Sequence, residues 1–480
     1  MLIRNSAIYM LARLLPGLFS LATTAALTRL LDPNEYGLYG LALVIMMFGS
    51  TLGFDWLGLA FLRFYQDRRQ DPRFGATFMS IFVALVAISA GVLSLALLFG
   101  VVPPHLVGAA MIGLVMVWTF AWFELVCRIA VAEFQPLQYL RMNLGRSFLI
   151  FVGAAAAAWL TRNALSTAAA TAVGMFLGVF FGNVPIPRPS WRLFDRLLSR
   201  EVLVFGIPMA ASMAIGALAE SGTRFILVDI ESARGLGLFT AAAALVQNTL
   251  GVMGTGISSA GYSLVLRDVV RDDHVAAQRQ LLVNGTLLLA VLAPASLGIA
   301  LTGNSIATSL VGSKFVSGVA PLMPWMALCS FLSGMVACYF DQAFQLGKKP
   351  HLKIWSAGIT GLVSIGLCLF LIPIYGAMGA AIALSAAAAV SNVYSILIGQ
   401  YAYRIPLPVA GGVRVAICCA VMTLAVVGLP NSGWTGLILR AGFGAVAYAL
   451  AAIALNLLDC RDHIIRFAKR IAPSLGSAHE

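Results

Sequence analysis

Fourteen runs of about twenty mostly apolar residues follow one another along this chain, separated by short polar stretches. Wound as a helix at about 1.5 Å per residue, each run is as long as the hydrocarbon of a bilayer is thick. The runs lie near residues 7–29, 36–62, 76–101, 106–127, 144–160, 165–182, 202–223, 235–257, 281–301, 319–340, 352–372, 376–399, 411–429 and 436–457. The fifth and sixth are short, which leaves a re-entrant pair open there. With 60% hydrophobic and only 10% charged residues, the chain has too much apolar surface for one water-soluble core. The expected fold is an all-α polytopic membrane protein. Arg13 interrupts the first run, so that run reads as a mature span and not as a cleaved signal.

Lysine and arginine set the expected orientation. Of the 31, 24 fall on the side that holds the N-terminus or at the span ends that face it, two lie elsewhere within spans (Arg13, Arg440), and five fall on the far side: Arg29, Arg162, Arg224, Arg234 and Lys314. The positive-inside rule then puts both termini in the cytoplasm. The formal charge of +12 is accounted for by this asymmetry, and no nucleic-acid partner is expected. Seven cysteines, none in metal-ligand spacing, read as small apolar residues. No metal and no cofactor is expected.

The stretch "ALTRLLDPNEYGLYGL" gathers polar residues between the first two spans. It reads as an interfacial turn, with Pro33 and Gly37 as helix breakers and Tyr36 and Tyr39 in the headgroup zone. "RPSWRLFDRLLSRE" (188–201) has the pattern of a basic amphipathic helix lying on an anionic leaflet, and 267–279 and "DCRDHIIRFAKRIAP" are weaker versions. The leading reading for each is nonetheless a solvated connector that obeys the positive-inside rule.

"TRLLDPNEYGLYGL" has a counterpart in "TRFILVDIESARGLGLF" six spans later, five residues longer between Arg and Gly. That spacing is what a duplicated six-helix unit predicts, with both copies pointing the same way. The expected organisation is a lobe over 1–183, a connector over 184–201, a second lobe over 202–400, a helix pair over 401–458 and a basic tail over 459–480.

With "RNSAIYMLARLLPGLFSL", "GFDWLGLAFLRFYQDRR", "FGIPMAASMAIGALAESGTRFIL" and "GLGLFTAAAAL", these motifs resemble the polysaccharide-transport branch of the multidrug/oligosaccharidyl-lipid/polysaccharide exporter superfamily, the O-antigen and capsule-repeat flippases. The resemblance implies twelve core spans in two lobes plus a terminal pair. It also implies alternating access that moves a polyprenyl-pyrophosphate-linked oligosaccharide to the outer leaflet of a bacterial inner membrane, with membrane lipids and a polysaccharide polymerase or export machinery as partners. Members often carry Asp before the arginine that matches Arg224; here Thr223 stands there.

Such a substrate needs cations, polar groups and a side opening for its tail, and ionisable residues within spans are the place to look. Arg13 and Asp55 lie at similar depth on the first two spans. Arg13 reads as a fork for pyrophosphate, or with Asp55 as a closed structural pair. Gln247 and Asn248, midway along the eighth span, are sugar-contact candidates, with helix packing as the alternative. Glu124 beside Arg128 and Asp341 beside Lys348 are candidates for an inner gate or for interface residues facing headgroups, with Gln342 and Gln345 tilting Asp341 toward the cavity; Glu220 with Arg224 reads as an outer gate or as a local i to i+4 helix pair. Arg440 reads as a snorkelling residue. No G-x-x-x-x-G-K-[ST] loop occurs, so transport is expected to draw on an ion gradient or on consumption of the product. A multidrug antiporter and a membrane glycan polymerase or glycosyltransferase remain alternatives.

Overall fold

A computed structural model describes residues 2–349 and 351–461, without the side chains of 2–14, 212, 220 and 260. The expected tail over 459–480 therefore lies almost wholly outside the described residues. Among the described residues all regular structure is helical: α1 (Leu2–Leu30), α2 (Pro33–Gly53), α3 (Asp55–Arg68), α4 (Pro72–Leu98), α5 (Val107–Ala132), α6 (Pro136–Thr161), α7 (Ala164–Gly178), α8 (Arg196–Ile230), α9 (Ala233–Val270), α10 (His274–Leu310), α11 (Ser313–Met335), α12 (Gln342–Leu346), α13 (His351–Tyr375), α14 (Ala377–Ala402), α15 (Val409–Val427) and α16 (Gly433–Ala454). Thirteen segments among the described residues are long and apolar enough to cross a membrane. It is an all-α polytopic membrane protein.

Helix starts follow local chemistry. Pro33, Pro72 and Pro136 open α2, α4 and α6, where a missing N–H costs nothing. Asp71, Asn163 and Asp195 accept the first free N–H groups of α4, α7 and α8. Along α4, Ile88, Val92, Leu95 and Leu98 form an exposed apolar stripe, the surface lipid would cover.

Several expectations change. Gly37 lies inside α2 and breaks nothing. Tyr36 and Tyr39 are buried, at 3% and 4% exposure, with the Tyr39 hydroxyl 3.3 Å from Thr171 Oγ1. The fifth and sixth spans are full helices, α6 and α7, and no re-entrant pair forms. The second span breaks at Phe54 (φ −129°, ψ −31°), so α3 leaves in a new direction. The amphipathic stretch 188–201 is not a helix of its own: Trp191–Leu193 make one 3₁₀ turn and Arg196 onward belongs to α8. α10 and α11 run so far past their expected ends that only Val311 and Gly312 separate them.

The described residues pack as two compact units. One holds the chain through Asn248 with Val311–Phe315 and Ala357–Ala387; the other holds Thr249–Leu310, Val316–Ser356 and the chain from Ala388 on. In the first, α3, α4, α5 and the start of α8 meet around Phe61, Phe74 and Phe78, whose ring centroids lie 4.8 to 5.3 Å apart. In the second, α10, α15 and α16 pack together.

Arg440 does not snorkel. It is 8% exposed, and donates from Nε to the carbonyl of Pro430 (2.9 Å) and from Nη1 to that of Leu301 (2.8 Å). The guanidinium thus satisfies carbonyls of α10 and of the turn after α15. Charged hydrogen bonds contribute about 1.5–3 kcal/mol each, and a stranded buried acceptor costs about 1–3. Arg440→Met is expected to lower the thermal midpoint in detergent by several degrees, with transport per folded molecule retained.

Candidate functional site

The repeated motif becomes a helix crossing. Its matched glycines, Gly37 on α2 and Gly237 on α9, face each other inside the first unit. A Cβ on Gly37 would lie 1.6 Å from the Ala233 carbonyl oxygen, and one on Gly237 would lie 2.2 Å from that of Pro33. The contacts are reciprocal: each added Cβ would also approach the other glycine's nitrogen, at 3.1 and 3.0 Å, and one turn on Gly40 faces Thr240. Only backbone can come this close, so glycine is required on both helices. The buried Tyr36 stacks edge-on against Phe315 at 5.6 Å and seals one flank.

A second cluster sits at the α2–α3 break. Ser50 Oγ donates to Asp55 Oδ1 at 3.2 Å. Asp55, Gly58, Glu124 and Arg128 line one narrow crevice, and the Arg128 side chain lies across the bare Cα of Gly58. Asp55 and Glu124 are thus brought together. Yet the ion-pair partner of Glu124 is Arg146 of α6 at 3.8 Å, not Arg128. Arg146 stacks over Phe123 at 4.2 Å, and its buried Nε and Nη1 make no hydrogen bond. A guanidinium 18% exposed with donors unused is costly without a ligand or water. Sequence reasoning misses it by starting the fifth span at 144, which leaves Arg146 at a membrane edge. Pro136 is the signal for an earlier start.

The Arg13 side chain, and with it any pairing to Asp55, lies outside the described residues, as does the Glu220 side chain. Asn248 donates to Ser20 Oγ at 2.8 Å, which ties α9 to α1. Gln247 is exposed. Next to Arg224, Thr223 Oγ1 lies 2.8 Å from Ser364 Oγ, with Cys368 Sγ at 3.6 Å. The position where the resembled exporters often carry Asp is therefore filled by a neutral hydroxyl pair between α8 and α13.

In the second unit, Asp341 is the one acidic residue among the described residues to be buried below a tenth exposure, at 5%. A π turn over Val336–Phe340 precedes it, closed by Asp341 N–H to Val336 O at 2.9 Å. One extra residue in a turn rotates all that follows by about 100°, and so aims the carboxylate inward. Ser395 of α14 donates to Oδ1 at 3.1 Å. Oδ2 lies 3.7 Å from Lys353 Nζ, so the cation is Lys353 of α13 and not Lys348. Ser356 continues the chain of hydroxyls, 3.3 Å from Ser395 and 3.1 Å from Ser391. Beside them Gln342 Nε2 donates to Ser258 and to the Cys338 carbonyl, while its buried Oε1 has no partner. A carboxylate, an ammonium and three hydroxyls in series can hold or pass a proton.

The fold itself has solved counterparts. Over 96% of its length the chain matches all of a lipid II flippase MurJ in an inward closed conformation, at TM-score 0.78 and 13% identity. An inward-facing multidrug resistance MATE family transporter of the MOP superfamily matches 80% of this chain and 94% of its own, at TM-score 0.58 and 16% identity. The chain shares its fold with these solved transporters. A MOP superfamily transporter from Pyrococcus furiosus covers 83% of this chain and 95% of its own, at TM-score 0.55 and 14% identity. At such identities the likeness is one of fold. No family model and no curated protein matches the sequence.

Proposed function

We propose that this chain is a flippase that carries a polyprenyl-pyrophosphate-linked oligosaccharide from the cytoplasmic to the outer leaflet of a bacterial inner membrane, for surface polysaccharide synthesis. Its two six-helix lobes, 1–183 and 202–400, would alternate access, with both termini cytoplasmic. The observation that carries the reading is an apolar cavity of about 410 Å³ within the second unit. Leu289 and Leu297 of α10, Leu328 and Phe331 of α11, and Val415 and Ala416 of α15 wall it. Its one hydroxyl, Ser296 Oγ, is spent on the Ala327 carbonyl at 2.7 Å. Such a wall suits a hydrocarbon tail and offers nothing to a sugar or a hydrophilic drug.

The head group would meet other residues. Arg13 and the half-satisfied Arg146 supply forks for pyrophosphate, and Gln247 and Asn248 supply amides for hydroxyls. The reciprocal crossing of Gly37 and Gly237 supports an outer gate that opens by parting two backbones. The fold counterparts named above are transporters, which supports transport over glycosyl transfer. A polysaccharide polymerase or export machine is the expected consumer of the product.

The test is reconstitution into liposomes with a fluorescent isoprenoid-pyrophosphate oligosaccharide and an outer-leaflet accessibility readout. Export of organic cations with no accelerated flipping overturns the reading in favour of a multidrug antiporter. Ala416→Trp fills the cavity from an exposed position. Losing contact with two methylene groups costs about 1.6 kcal/mol, roughly fifteenfold. Flipping of a long-chain substrate is expected to slow by that order, and that of a short-chain analogue to stay unchanged.

A further inference from the structure

At the end of the bundle where α1 stops, a cavity of about 190 Å³ collects Arg29, Arg162 and Lys314, with Asp32 as its one acid and Trp159 in its wall. Three of the five cations expected on that face converge here, although the other face carries 24 of the 31. Arg29 and Arg162 sit at the C-terminal ends of α1 and α6, where the helix dipole favours a cation. That account fails for Lys314, which lies in the first turn of α11, at the positive end.

The backbone is shaped to bring Lys314 in. A Cβ on Gly312 would lie 2.1 Å from the Thr28 carbonyl oxygen, so only glycine lets the α10–α11 turn close on the end of α1. Asp32, the residue before α2, makes no capping bond to that helix and pairs with Lys314 instead. Both partners of this pair are more than 60% exposed, so an incoming anion displaces the carboxylate easily. Trp159, 69% exposed, offers a flat apolar face beside the cations. At about 30 Å³ per water the space takes one phosphoryl group and its hydration.

We propose that this cavity is a docking site for a phosphate-bearing group on the outer face. The outer placement, and a lipid-linked pyrophosphate as the source, rest on the flippase reading. The N–H groups at the start of α11 would add to the guanidinium and ammonium donors.

The test titrates the full-length protein in detergent with farnesyl pyrophosphate and with inorganic pyrophosphate. It reads the part of the intrinsic fluorescence change that Trp159→Phe removes, which makes the signal local. Arg162→Ala with Lys314→Ala is expected to weaken binding at least tenfold, and higher salt to weaken it further. Asp32→Asn is expected to tighten binding severalfold by removing the competing anion, an outcome that misfolding does not produce. Tighter binding of farnesyl pyrophosphate assigns a lipid source, and equal binding assigns a free anion; both keep the site. An unchanged affinity in the double variant, or weaker binding in Asp32→Asn, overturns it. A chain that binds here but flips no lipid-linked sugar keeps the site and loses the flippase reading. A chain that flips while its double variant binds unchanged loses only the site.

Discussion

Gly37→Ala is expected to cut transport at least tenfold while the protein still inserts and folds. The added methyl would sit 1.6 Å from the Ala233 carbonyl oxygen, whereas carbon and carbonyl oxygen rest at about 3.3–3.6 Å. Since the obstacle is backbone, no rotamer change relieves it, and α2 and α9 must part by roughly 2 Å. Overpacking on this scale costs about 1–3 kcal/mol. About 2 kcal/mol shifts a two-state equilibrium some thirtyfold, here away from the form in which the crossing is shut. Thr24 bonds the buried Tyr36 side chain just behind the crossing. Thr24→Cys in the Gly37→Ala background should therefore react with an impermeant thiol reagent added outside, and should not in the native background. Gly237→Ala is expected to act alike, because the contacts are reciprocal. Gly91→Ala, with nothing within 4 Å, is the neutral control. Native transport and unchanged labelling in both glycine variants would remove the crossing from the transport cycle.

That crossing is half legible in the sequence. The repeat alone aligns Gly37 with Gly237, but each glycine there reads as local punctuation, since a sequence shows that a residue is small and not what lies against it. The same limit governs the tyrosines. Tyr36 and Tyr39 beside polar residues look interfacial, and only the packing of Phe315 and Thr171 on them reveals a buried seam. Apolar windows find the helices because lipid demands length and composition, yet they start the fifth span at 144, which leaves Arg141 and Asn143 outside it and Arg146 at its edge. Asn143 is buried and Arg146 packs on Phe123, and the late start hides the partner of Glu124. Asp341 stands out in the sequence as an ionisable residue within a span. Its π turn and its pairing with Lys353 do not, because helical periodicity assigns a face only while the turn stays regular.

The largest effect on energetics is expected at that residue. Asp341 is a buried charge with one cation, and Lys353 is half exposed, so the pair is free to separate on one side only: the ammonium can swing to water and the carboxylate cannot follow. When Lys353 leaves, the carboxylate must gain a proton or another cation, since an unpaired buried charge costs about 3–5 kcal/mol. Protonation would let Asp341 join the hydroxyl chain through Ser395, Ser356 and Ser391 as one more O–H. We expect Asp341→Asn to keep downhill flipping and lose acceleration by an imposed pH gradient. Lys353→Met should destabilise the protein strongly, and Asp341→Asn in that background should restore its stability. A pair that served structure alone would regain gradient-driven transport along with stability in the double variant, and that result would sink the coupling role. If Asp341→Asn alone responds to the pH gradient as the native protein does, protons do not couple through this site. On the flippase reading, Glu220, a sodium gradient or consumption of the flipped lipid is then left to drive transport.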